Sequence, residues 1–150
     1  MPEILVDADA CPVKQEVYRV AKRYGLKVML VANSPINIPQ EDGISLVVVN
    51  GQLDAADDWI VDHATRDNIL ITGDIPLAAR CVKRGVRVLG TRGKVFTEAT
   101  IGNVLATRDL LTQLRGMGID TGGQTVFNKR DRSHFLQSLD TVIRALLEGK

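Results

Sequence analysis

Aromatic side chains are scarce in this chain: one tryptophan, two tyrosines and three phenylalanines make up 4% of 150 residues. The core must therefore be built mainly of Val, Leu, Ile and Ala, and any stacking of single-stranded bases would rest on very few side chains. The two histidines, His63 and His134, are too isolated in sequence to suggest a nucleophile–base pair. The two cysteines, Cys11 and Cys81, show no CxxC or Cys/His metal spacing, and a disulfide is not expected in a cytoplasmic chain. No apolar run approaches the ~20 residues that span a bilayer. The N-terminus lacks a basic region followed by an apolar signal segment. These absences argue for a soluble, cytoplasmic protein with no membrane partner. Neither GxxxxGK(S/T) nor GxGxxG occurs, so the nucleotide-cofactor folds lack their sequence signature.

What is present is ordinary in amount and uneven in placement. Hydrophobic content of 45% and charged content of 25% suit a globular protein, and 150 residues suit a single domain with a real core. The net charge of +1 hides an asymmetry. Residues 1–75 carry 6 Lys/Arg against 12 Asp/Glu, a balance of −6, and residues 76–150 carry 13 against 6, a balance of +7. An acidic half suited to cations precedes a basic half suited to anions. Basic residues at solvent-facing helix positions would give the same count.

Apolar runs and amphipathic stretches alternate along the chain. Short Val/Ile-rich runs at Ile4–Asp7, Lys27–Val31, Ser45–Val49, Ile69–Thr72 and Val86–Leu89 read as buried parallel strands. Helices are expected over Pro12–Tyr24, Ala55–Arg66 and Pro76–Arg84, each closed by Gly or Asn. The segment between Ala32 and Gly43, with Pro35 and Pro39, reads as an irregular crossover. Two further helices are expected: one capped by Thr97 or Thr100 and running to about Leu114, and one over Arg132–Leu147. Gly116, Gly118, Gly122 and Gly123 mark a connection between them. The β–α–β alternation defines an α/β protein with a mainly parallel central sheet flanked by helices. Residues 97–150 read as a helical extension of the same domain, packed on the sheet or forming an interface, which is compatible with a homo-oligomer.

Two acidic turns stand out in this frame, Val6-Asp7-Ala8-Asp9-Ala10-Cys11-Pro12 and Ile71-Thr72-Gly73-Asp74-Ile75-Pro76. Each follows a buried strand and precedes a helix. Sites in open parallel sheets lie beyond the carboxyl ends of the strands, where the strand order reverses. If the two strands are neighbours there, Asp7, Asp9 and Asp74 converge, and clustered carboxylates call for a cation or raised pKa values. Asp54, Asp57 and Asp58 share one face near the start of the second helix. The six aspartates are candidate metal ligands. Each also has a plain alternative as a helix cap, a turn residue or an acidic first turn. Such a cluster would hold Mg²⁺ or Mn²⁺ through a few carboxylates and several waters, activating water against a phosphate ester. Arg92, Lys94, Lys129, Arg130 and Arg132 are candidates for holding a phosphate backbone.

The segments Asp7-Ala-Asp-Ala-Cys-Pro12, Ala56-Asp57-x-x-Ile60-Val61, Thr72-x-Asp74-Ile-Pro-Leu-Ala78 and Thr121-Gly-Gly123, followed by Asp131-Arg132, resemble the YaiI/YqxD family of short bacterial proteins over nearly the whole chain. The wider pattern is similar to PIN-like domains, three-layer α/β folds of which many are Mg²⁺- or Mn²⁺-dependent ribonucleases. That resemblance implies catalytic roles for Asp7, Asp57 and Asp74, with Asp9, Asp54 or Asp58 as further ligands. It places Thr72 at the small hydroxyl position before the strand-end acid. PIN-like sites often add an acid just beyond the Asp74 position, and here Ile75-Pro-Leu-Ala-Ala79 has none. YaiI/YqxD sequences often place proline after the Gly-Gly pair, where this chain has Gln124. Three readings follow: a metal-dependent nuclease acting on RNA, a nucleic-acid-binding or regulatory module with a weakened site, and a small-molecule phosphatase with Asp7 as nucleophile and Asp9 as general acid.

Overall fold

A computed structural model describes residues 2–52, 54–122 and 126–149. Gly123 and Gln124 of the glycine-rich connection lie outside the described residues. In chain order the elements are β1 (Glu3–Asp7), α1 (Lys14–Tyr24), β2 (Lys27–Ala32), β3 (Ile44–Val48), α2 (Ala55–His63), β4 (Asn68–Ile71), α3 (Ile75–Lys83), β5 (Arg87–Leu89), β6 (Val95–Phe96), α4 (Glu98–Gly116) and α5 (Lys129–Leu147). A single 3₁₀ turn, Ala8–Ala10, follows β1.

The strands form one six-stranded sheet in the order β3-β2-β1-β4-β5-β6. The first five run parallel, and β6 is antiparallel to β5. The chain moves outward from β1 through β2 to β3, then returns to lay β4 on the other side of β1. The order therefore reverses between β1 and β4, where Val6 sits level with Ile71. This reversal opens a crevice beyond the carboxyl ends of those two strands.

The strands bury both faces, as alternate residues require. Ile4, Val6, Val28, Leu30, Ile69 and Ile71 join Val13, Val17, Val20 and Ala21 beside α1, and Phe135, Leu139 and Ile143 of α5, in one core layer. Leu5, Val31, Leu70 and Val88 join Ile60 and Val61 of α2, Leu77, Ala78, Cys81 and Val82 of α3, and Ile101 of α4, in the other. The result is a three-layer α/β architecture, as expected from the sequence. The two late helices part company: α5 covers one face of the sheet and α4 the other.

Boundaries shift where a side chain captures backbone groups. Pro12 precedes α1, which begins at Lys14 after Val13. The second helix stops at His63 rather than Arg66, because Asn68 accepts from the Thr65 backbone N–H at 2.7 Å and turns the chain into β4. The last helix starts earlier than expected, at Lys129. There Asn128 accepts from the Asp131 N–H at 3.0 Å, and Asp131 accepts from the Asn128 N–H at 3.0 Å, a reciprocal cap. Thr97 and Thr100 share the corresponding cap of α4. The segment between β2 and β3 carries no helix. The two-residue β6 was not anticipated, since two residues show no periodicity.

Candidate acidic site

The carboxyl end of β1 leaves Asp7 half-buried beside the end of β4. The Thr72 hydroxyl, buried in the first turn after β4, donates to Asp7 Oδ2 at 2.8 Å and accepts from the Asp74 N–H at 3.0 Å. Thr72 thus acts as a spacer between the two acidic turns. Asp74 in turn caps α3, accepting from the Leu77 N–H at 3.0 Å through Oδ1. Its second oxygen gives it capacity for another partner.

Asp9 does not serve as the helix cap that its position suggested; its carboxylate accepts from the Asn33 N–H just past β2, at 3.0 Å to Oδ2 and 3.3 Å to Oδ1. Asn33 Oδ1 accepts from the Ala56 N–H at 3.2 Å and so caps α2. Asp54 occupies the cap position of α2 but makes no side-chain cap bond, which leaves its carboxylate open to the crevice. Asn33 was not singled out from the sequence. Its signal was modest: a polar amide at the carboxyl end of a strand next to β1.

Asp7, Asp9, Asp54, Asp57 and Asp74 line one cavity of about 740 Å³, together with Asn33, Arg92, Lys94, Phe96 and Phe127. Their charges are mutually felt. Burial pushes the Asp7 carboxyl above its ordinary value, the Thr72 hydrogen bond opposes this, and Asp74 and Asp9 add to it. Asp57 is pushed up to about 6, first by burial and then by Asp74, Asp7 and Asp54, with Arg80 acting against them. Asp58 points elsewhere: its side chain is 61% exposed and pairs with Arg80 at 3.0 Å.

The basic candidates separate into two groups. Arg92 and Lys94 line the same cavity as the acids. Arg92 also pairs with Asp131 at 3.0 Å. Arg132 is committed to the scaffold, donating to Glu16 Oε1 at 2.7 Å and to the Pro12 carbonyl at 3.0 Å, with its guanidinium 4.9 Å from the Phe127 ring centre. Lys129 and Arg130 are exposed on the first turn of α5 and are not among the residues lining the cavity. Phe127, which carries no motif signal in the sequence, has the guanidiniums of both Arg92 and Arg132 near its ring, at 5.7 and 4.9 Å from the centroid.

Among the described residues, no group of three or more His, Cys, Asp or Glu side chains stands ready as a metal cage. The donors are nonetheless all hard carboxylate oxygens. Mg²⁺ commonly takes only one or two carboxylates and completes its shell with water, so the donor chemistry fits such an ion. Both cysteines are free, and burial raises the Cys11 thiol above its ordinary value, against a thiolate role. No helix among the described residues is long and apolar enough to cross a membrane.

Fold and site together define an α/β protein with a carboxylate-rimmed cavity at the point where its sheet order reverses. The chain belongs to the family described as "Uncharacterized BCR, YaiI/YqxD family", whose profile matches residues 5–145. Its curated relatives include a UPF0178 protein of Rhodospirillum centenum, 50% identical over 100% of both chains. Another, from Azorhizobium caulinodans, is 54% identical over 93% of this chain and 88% of its own. Among solved structures, yeast methylglyoxal/isovaleraldehyde reductase Gre2 complexed with NADPH aligns over 77% of this chain and 50% of that one, at 18% identity and a TM-score of 0.39. A likeness at that score carries no argument.

Proposed function

We propose that this protein is a divalent-metal-dependent nuclease that hydrolyses RNA phosphodiesters, with a PIN-like site. The observation that carries this reading is the convergence of Asp7, Asp54, Asp57 and Asp74 on one cavity that Arg92 and Lys94 also line. Mg²⁺ or Mn²⁺ bound among these carboxylates would supply charge neutralisation and an activated water. The chain's own residues do the rest. Thr72 fixes the spacing of Asp7 and Asp74, Asn33 ties Asp9 to the start of α2, and Lys94 and Arg92 hold the phosphate. The test is incubation of labelled single-stranded RNA with the protein in Mn²⁺, beside Asp7→Asn, Asp74→Asn and an EDTA control. Cleavage by the wild type alone supports the reading, and equal cleavage by both variants sinks it.

A second reading, a nucleic-acid-binding or regulatory module with a weakened site, draws on two observations. The acids do not form a ready cage among the described residues. Asp9 and Asp74 each spend lone pairs on backbone N–H groups. Salt-sensitive RNA binding without turnover in Mn²⁺ would favour it.

A further inference from the structure

The acidic cavity does not end at its own rim. Asp54, Asp57, Asp74 and Lys94 also line a second, larger cavity of about 1080 Å³, so the two form one continuous groove. The far part of that groove runs along α4 and is lined there by Thr107, Arg108, Leu111 and Arg115. These positions recur at helical spacing and share one face. From Val104, which lines both cavities, to Arg115 the helix advances about 16 Å at 1.5 Å per residue.

Arg80 on this path is paired with Asp58, but the other cations of the α4 part are not so closely engaged. Neither Lys94 nor Arg115 has an ion pair among the described residues. Among the described residues the Arg108 side chain has one ion pair, with its neighbour Asp109 at 3.6 Å, both side chains about half exposed or more (49% and 69%), an arrangement worth little in water. The helix itself is lightly held: among its described residues Ile101 alone is buried. Nothing in the packing of the core calls for arginines here. The groove thus joins an acidic centre to a line of cations longer than one phosphate group.

We infer that the α4 face carrying Arg108 and Arg115 is a binding rail for the backbone of a single-stranded polynucleotide, so that the substrate of the acidic site is an extended strand rather than a mononucleotide or small ester. This rests on the nuclease reading for the chemistry at the acidic end; the rail itself is tested by binding alone. The cationic side chains and the absence of aromatic rings along α4 suit contact with phosphates rather than stacked bases.

The experiment is fluorescence anisotropy of a labelled single-stranded RNA against the full chain across a salt series. The variants are Arg108→Gln/Arg115→Gln and a charge-matched control, Arg19→Gln/Arg84→Gln, whose sites are not among the residues lining the groove. Loss of two phosphate contacts should lower the slope of log affinity against log salt by about 1.4, at about 0.7 per contact on a single strand. Affinity at low salt should fall about tenfold, with the control unchanged. An unchanged slope, an equal loss in the control, or no binding by the wild type overturns the rail. So does sedimentation showing a dimer that the groove variant dissolves, because α4 would then be covered by a second copy. Cleavage of the same labelled RNA in Mn²⁺, followed in parallel, reports on the acidic site separately. Intact binding with no turnover strikes the nuclease reading and leaves the rail standing.

Discussion

The α1–α5 layer and the rim beyond β1 and β4 handle charge in opposite ways. In the layer, acids meet bases. Buried Glu16 accepts from Arg132 at 2.7 Å, and Asp140 receives the Tyr24 hydroxyl, Arg144 at 3.0 Å and Arg23 at 3.6 Å. At the rim, Asp7, Asp54, Asp57 and Asp74 face one another, and the carboxyls of Asp7 and Asp57 resist ionisation. The layer uses charge to dock two helices. The rim crowds several carboxylates together, at a cost to the fold that a cation would relieve.

Removing a rim carboxylate should have the largest effect of all, on rate. Asp7→Asn and Asp74→Asn should each slow Mn²⁺-dependent RNA cleavage about a thousandfold, equivalent to about 4 kcal/mol of barrier. A quench assay with denaturing electrophoresis reads this, and retention of full rate in both would erase the functional half of the contrast. In the paired layer the loss should fall on stability instead. Glu16→Ala leaves Arg132 without its buried partner, at a cost of about 2 kcal/mol, below the full penalty for a buried pair because Arg132 remains 46% exposed. Urea unfolding checks it, and a change under about 0.5 kcal/mol would show that the layer does not depend on this pairing.

Thr72→Val keeps the shape and removes the hydroxyl between Asp7 and Asp74. A stability loss of about 1 kcal/mol is expected. The hydroxyl holds the Asp7 carboxyl down, so the acid limb of the pH–rate profile should move to higher pH. An unmoved limb would mean that Asp7 is not the group titrating there. The smallest effect is a gain. The folded-state pKa of Asp57, about 6, lies above the ordinary 3.8, so the fold favours its protonated form. That stabilisation is complete below the ordinary value and is lost as pH rises through about 6. Asp57→Asn should match the wild type near pH 3.5 and exceed it by about 1 kcal/mol at pH 7.5, after discounting for solvent screening. Thermal melts would read this as about 2–4 °C, and no pH-dependent gap would mean that Asp57 is not under repulsion.

Much of this rim is legible in the amino-acid sequence. Asp7 and Asp74 stand out because each ends or follows a short apolar run and is followed within a few residues by proline, a pattern that marks a strand–turn–helix junction. Their adjacency is conditional on strand order, and β4 does lie beside β1. Asn33 is hidden because a single amide in an irregular, proline-containing segment gives no periodic signal, although it caps α2 and holds Asp9. The outward turn of Asp58 is equally hidden: Asp54, Asp57 and Asp58 share a helix face by spacing, and only the position of Arg80 separates the third from the others. Arg108 and Arg115 look like the ordinary solvent-facing arginines of an amphipathic helix until α3 and the acidic turns are seen across from them.

Gly93 sits in the loop after β5 with φ +95°, and a Cβ there would fall 2.7 Å from His134 Nδ1, which itself bonds the Arg92 carbonyl at 2.8 Å. The loop bearing Arg92 and Lys94 is thereby clasped to the first turns of α5. A chain cut before Asn128 would keep every aspartate of the rim, yet lose the brace behind the loop that carries Arg92 and Lys94. The last helix is therefore as much a part of the cavity's jaw as the strands that carry its teeth.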